Sequence, residues 1–100
     1  MGLPAYKVII TPEALGDLEA IHAYIAADSP NNAARMVERL LDAIDGLGDM
    51  PRRFSRVRTR RQLGYEPRAV VVPPYRIIYS IEGATVHVRT VRHGARRPWP

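Results

Sequence analysis

One hundred residues make a single domain, and 46% hydrophobic with 25% charged residues is the composition of an ordinary globular protein. Cysteine is absent, which excludes a disulfide framework and a thiolate metal site. No apolar run approaches the roughly 20 residues needed to span a bilayer, and Met1-Gly2-Leu3-Pro4 has no signal-peptide plan, so the expected location is the cytoplasm, with no membrane partner.

The net charge of +5 hides a polarity. Up to Met50, Lys7, Arg35 and Arg39 face eight acids, a balance of −5; from Pro51 onward, twelve arginines face Glu66 and Glu82, a balance of +10. That asymmetry predicts a face for an acidic partner, either nucleic acid or an acidic protein segment. Fourteen of the fifteen basic residues are arginine, which suits bidentate contact with phosphate or carboxylate.

Tyr6 to Ile10 reads as a strand because Val8, Ile9 and Ile10 are β-branched. Thr11-Pro12 supplies an N-cap and a first-turn proline, predicting a helix from Pro12 to about Ala27 with the stripe Leu15, Leu18, Ile21 and Ile25. His22 is expected half-buried beside that stripe. Ser29-Pro30 caps a second helix running to Gly46 or Leu47, with Ala33, Met36 or Val37, Leu40, Leu41, Ile44 and Leu47 inward. The short connection predicts an antiparallel helical hairpin. Met36 and Met50 read as core filler, and Asp17, Glu19, Glu38, Asp42 and Asp45 as a solvated outer face.

Gly48 to Gly64 is irregular and carries Arg52, Arg53, Arg56, Arg58, Arg60 and Arg61, with Phe54, Val57 and Leu63 as anchors. These six arginines could bind phosphate or carboxylate, and could equally form a solvated connection or one that is mobile until a partner binds; contact with an acidic partner is the expectation. A strand from Tyr65 to Val72 follows, buried at Ala69-Val70-Val71-Val72. Pro73-Pro74 ends it, since proline gives a sheet no N–H.

Tyr75 to Ile81 alternates, with Tyr75, Ile77, Tyr79 and Ile81 on one face and Arg76, Ile78 and Ser80 on the other. Glu82-Gly83 signals a hairpin into Thr85 to Val91, where Val86, Val88 and Arg92 share one parity and His87, Arg89 and Val91 the other. The order β-α-α-β-β-β predicts an α+β two-layer sandwich, with the helical hairpin packed on one face of a small antiparallel sheet. The face without helices should then carry the strand arginines. A purely structural Arg76 would instead pair with an acid such as Glu66.

The three histidines, His22, His87 and His93, fall on separate elements without metal-ligand spacing, so no metal and no cofactor are expected. No phosphate-cradling glycine loop or serine nucleophile turn is present. Metal-free RNA cleavage needs proton-transfer groups and cations. His93, His87 or Glu66 and Arg76, Arg89 or Arg92 supply the types without being diagnostic.

Four segments together resemble the RelE/ParE toxin superfamily, closest to its ParE-like plasmid-stabilisation branch. They are Tyr6-Lys7-Val8-Ile9-Ile10-Thr11-Pro12-Glu13-Ala14-Leu15 with Asp17-Leu18, then Ile21 with Tyr24-Ile25, then Tyr75-Arg76-Ile77-Ile78-Tyr79, and last Val91-Arg92-His93-Gly94-Ala95-Arg96. The resemblance covers essentially the whole chain and implies the same β-α-α-β-β-β sandwich. It also implies the toxin half of a type II toxin–antitoxin operon. The cognate antitoxin would have a ribbon-helix-helix DNA-binding domain and an extended C-terminal segment. The pair would form a hetero-oligomer that reaches operator DNA only through the antitoxin.

Two targets follow from the two branches. RelE-like members cut messenger RNA in the ribosome, with a strand arginine matching Arg76 and, in some, a histidine near His93. Those histidine-bearing nucleases follow it with a terminal tyrosine, where this chain has Gly94, and RelE's additional lysines are replaced here by arginines. ParE-like members are described as poisoning DNA gyrase by binding. The expectation is therefore a non-catalytic gyrase inhibitor, with Arg76, Arg89, His93, Arg96, Arg97 and Trp99 contacting the target and Arg52 to Arg61 the antitoxin. In the alternative, a ribosome-dependent endonuclease, Arg76 would hold phosphate and His93 would move protons.

Overall fold

The computed structural model describes residues 5–59 and 61–94. Its regular elements are β1 (Lys7–Ile10), α1 (Pro12–Ala26), α2 (Pro30–Asp45), β2 (Arg68–Val72), β3 (Tyr75–Glu82) and β4 (Thr85–His93), with short 3-10 turns at Gly46–Gly48 and Pro51–Arg53. The sheet order is β1-β4-β3-β2. β2, β3 and β4 form the expected antiparallel meander, and β1 joins β4 in parallel, so the sheet is mixed. A parallel neighbour requires a long crossover connection, and the helical hairpin is part of that connection.

Both helix starts are locally encoded. The Thr11 hydroxyl accepts the Ala14 N–H at 3.2 Å, the Ser29 hydroxyl accepts the Asn32 N–H at 3.2 Å, and a proline occupies the first turn of each helix. Thr11 also donates to the Val88 carbonyl at 2.7 Å, which ties the start of α1 to the middle of β4.

The core lies between the helices and one sheet face. It joins Ala14 and Leu18 of α1 with Leu40 and Ile44 of α2 and with Val70, Val72, Tyr75, Ile77, Tyr79, Val86, Val88 and Val91 of the strands. The helix stripes are narrower than periodicity suggested. Leu15 is 51% exposed and Leu41 is also exposed; Ala14, with no exposure, takes the inward place near the start of α1. His22 is exposed, not half-buried. Met50 is 59% exposed, so it does not fill the core; its backbone is left-handed, with φ 48°. Regular helix in α2 stops at Asp45, and a 3-10 turn then delivers Leu47 to the core.

Asp17 departs from the solvated acidic face predicted for it. It accepts the Val91 N–H at 2.9 Å and the Thr90 hydroxyl, pinning α1 to β4. β1 pairs with β4 only as far as Val88, so Asp17 supplies a partner on the edge that β1 leaves open. Gly48 sits at a close approach of two backbone segments. Its carbonyl accepts the Tyr6 N–H at 2.9 Å, and a Cβ there would stand 3.2 Å from the Tyr6 carbonyl oxygen.

β2 begins at Arg68, three residues later than predicted. Alternation also corrects its burial: Val70 and Val72 are buried, and Val71 is 61% exposed on the face away from the helices.

In β3 and β4 the register runs Tyr75↔His93, Arg76↔Arg92, Ile77↔Val91 and Ile78↔Thr90, then shifts to Tyr79↔Val88. Arg89 is therefore the extra residue of a β-bulge. Uninterrupted alternation from Val88 would put Val91 and His93 away from the helices; the bulge turns both toward them. Val91 is accordingly buried in the core, and the predicted sharing of a face by Val86, Val88 and Arg92 fails after Val88.

Candidate functional site: a divided sheet face

β3 presents Arg76, Ile78 and Ser80 away from the helices. One half of that face is closed: Ile78 has no exposure and Ser80 only 1%. Arg89 lies over it, donating from Nε to the Ser80 hydroxyl at 2.9 Å and from Nη2 to Glu82 at 3.1 Å, with the Tyr65 ring 4.3 Å from its guanidinium carbon. His87 Nε2 stands 3.2 Å from the other Glu82 oxygen. Arg89, expected to meet a target, thus directs its Nε and Nη2 donors to partners inside the molecule.

The other half is different. Val71, Arg76 and Arg92 are register partners across β2, β3 and β4, so they form one row on this face. Glu66 does not serve Arg76; it pairs with Arg56 at 3.1 Å and Arg68 at 3.8 Å. Arg76 Nε is buried without a hydrogen-bond partner. Two like charges directly opposite each other are unfavourable, and a buried unsatisfied donor costs about 1–3 kcal/mol.

His93 leaves that group. The bulge places it on the helix side, edge-on to Tyr75 with ring centroids 5.5 Å apart. There it borders a cavity of about 580 Å³ with Asp17, Ile21, Tyr24 and Tyr75, and Arg92, on the strand edge that β1 leaves open, borders the same cavity. Arg76 and His93, one residue apart in register, consequently point to opposite sides of the sheet. Arg60, Arg96, Arg97 and Trp99 lie outside the described residues.

The arginine segment wraps the β2 edge. Phe54 packs against the helix-side core, Val57 N–H reaches the Pro67 carbonyl at 2.9 Å, Ala69 N–H reaches the Ser55 carbonyl at 3.2 Å, and Tyr65 ends on the far face over Arg89. Two residues to which the sequence assigned no such role hold this path. Arg68 donates to the carbonyls of Arg52 at 3.2 Å and Phe54 at 2.6 Å, and the Tyr79 hydroxyl donates to the Pro51 carbonyl. Neither has a local signal, because each contact spans more than a dozen residues. Arg53 donates to the Asp49 carbonyl at 2.6 Å and lies over Phe54; Arg52, Arg58 and Arg61 are exposed. Beside them, Tyr6, Met50, Pro51 and Ala84 help line a second cavity of about 640 Å³.

Burial pushes the hydroxyls of Tyr79 and Tyr65 above the ordinary tyrosine value of 10.0. Below that value both tyrosines are protonated folded and unfolded. As pH rises past it the unfolded chain ionises first, so stability falls until the folded groups ionise too. Denaturant titrations at pH 9 and pH 11 should show that fall. Tyr79→Phe should reduce the slope while costing about 1 kcal/mol at neutral pH through the lost bond to Pro51.

Among the described residues no group of three histidine or acidic side chains is placed to hold a metal ion, and no helix is long and apolar enough to cross a membrane.

A sequence profile described as the ParE toxin of the type II toxin–antitoxin system, parDE, matches residues 8–98. The chain is 43% identical over 91 residues to "Toxin RelE2" of Caulobacter vibrioides, covering 90% of this chain and 97% of that protein. It is 37% identical over 92 residues to "Putative toxin Y4kP" of Sinorhizobium fredii, covering 90% and 88%. Among solved structures, a chain of the chromosomal ParDE TA system from P. aeruginosa superposes with a TM-score of 0.73 at 15% identity, covering 91% of this chain and 98% of that one. An archaeal RelE–RelB complex from Pyrococcus horikoshii gives 0.62 at 16%, covering 93% and 99%. The last two show the shared fold. The matched residues, the β-α-α-β-β-β order and the identities agree: this chain belongs to the RelE/ParE family of toxins from type II toxin–antitoxin systems.

Proposed function

We propose that this toxin arrests growth by binding DNA gyrase, without cutting RNA itself, and that a cognate antitoxin neutralises it. The observation that carries the non-catalytic reading is the separation of Arg76 from His93. RNA cleavage needs a proton-transfer group and a phosphate-binding cation at one phosphodiester, and here the bulge at Arg89 directs Arg76 and His93 to opposite sheet faces, leaving Arg92 as the strand arginine that borders the His93 cavity. The exposed arginines Arg52, Arg58 and Arg61 suit an acidic antitoxin segment, and the solved relatives include toxin–antitoxin complexes. A ribbon-helix-helix antitoxin with an extended C-terminal segment would make the pair a hetero-oligomer that touches operator DNA through the antitoxin.

The second reading, a ribosome-dependent messenger RNA endonuclease, is favoured by the 43% identical relative named RelE2. Purified protein added to a gyrase supercoiling reaction and to a coupled translation reaction separates the two. Loss of supercoiling with intact message is the expected result. Codon-phased cuts abolished by His93→Gln would overturn it.

A further inference from the structure

We infer that the Val71–Arg76–Arg92 row is a docking site for a protein segment that sets a carboxylate against the two guanidinium groups and an aliphatic side chain on Val71, and that this segment belongs to the antitoxin. The inference rests on the toxin–antitoxin reading above and adds a surface outside the arginine segment. Three observations meet here. Register puts Arg76 and Arg92 side by side in one row, with Arg92 at the strand edge where it also borders the helix-side cavity, and none of the ion pairs among the described residues involves either. Arg76 Nε is buried and unbonded, so the folded chain leaves part of this guanidinium unsatisfied. Val71, in the same row, is the most exposed aliphatic side chain of the sheet.

The charge calls for an anion; the apolar neighbour selects its kind. A nucleic acid offers phosphate spaced by sugars that cover valine only incidentally, whereas an acidic, aliphatic-bearing peptide sets a carboxylate and an apolar side chain on neighbouring positions and matches both. The far half of the same face is occupied by Tyr65 over Arg89, which confines the site to this row. Tyr65 also closes the arginine segment onto that face, so a partner lying along the segment reaches the row by continuing across the sheet.

The test measures binding of the full chain to the full-length antitoxin encoded beside it, by calorimetry. Arg76→Glu and Arg92→Glu should each weaken binding by about tenfold or more, and Val71→Asp by a similar factor, since a desolvated charge pair lost at an interface costs at least that much. Arg35→Glu, on the exposed face of α2, should change binding less than twofold. A lysine substituted for an antitoxin acid should restore affinity to Arg76→Glu. Thermal melts of each variant exclude misfolding as the cause. If the native chain binds the antitoxin and all three row variants bind equally well, the docking site is wrong and the toxin reading stands. If the native chain does not bind it at all, the toxin–antitoxin reading itself fails. If the variants lose affinity for a single-stranded RNA oligonucleotide while keeping the antitoxin, the row is a nucleic-acid contact and the inference is overturned.

Discussion

Asp17→Ala should lower stability by about 3 kcal/mol and the melting temperature by about 12 °C or more. The carboxylate accepts the Val91 N–H at 2.9 Å and the buried Thr90 hydroxyl, and both donors lose their partner together. Hydrogen bonds to a charged group contribute about 1.5–3 kcal/mol each, and a donor left buried without a partner is costlier than one returned to water. Asp17→Asn keeps an acceptor without the charge and should lose about half as much. Glu19→Ala, two residues along on the exposed side of α1, should stay within about 0.5 kcal/mol. Thermal unfolding of the three variants checks the order. If Asp17→Ala and Glu19→Ala melt together, Asp17 is the ordinary solvated acid that the sequence alone suggested.

Leu18→Ala should cost about 3 kcal/mol, and Leu15→Ala less than about 1 kcal/mol. Helical spacing assigns both leucines to one stripe, yet Leu18 is 4% exposed and Leu15 51%. Truncating Leu18 leaves a cavity against the sheet core that the neighbouring helix fills only in part, whereas truncating Leu15 removes atoms already in water. Ala14→Leu should also destabilise, by about 1–3 kcal/mol, because Ala14 has no free surface and α1 comes close to β4 there. Equal losses for Leu18→Ala and Leu15→Ala in urea denaturation would show that α1 packs through the wider stripe.

The divided sheet face links these packing details to function. The helices occupy one side as predicted, but the other side is not an open field of guanidinium groups. Arg89 is held by Ser80, Glu82 and Tyr65, and His93 has crossed to the helix side beside Tyr75. Among the described residues, the row through Arg76 and Arg92 and the exposed Arg52, Arg58 and Arg61 stay outside those pairings.

The chain alone determined its elements. Thr11-Pro12 and Ser29-Pro30 fix both helix starts, Pro73-Pro74 and Glu82-Gly83 place the turns, and alternation through Tyr75–Ile81 sets the inward face, because caps, turns and periodicity act within a few residues. The family resemblance lay in the same local segments. Tertiary structure decided the rest. A bulge exists only relative to the strand it pairs with, so the Arg89 insertion that sends His93 across the sheet is invisible to a parity count along one strand. The path of the arginine segment depends on Arg68 and Tyr79, and the role of Asp17 depends on an edge left open by β1, more than seventy residues away in sequence from the groups it binds. Each is a long-range pairing, fixed by which surfaces meet when the core closes.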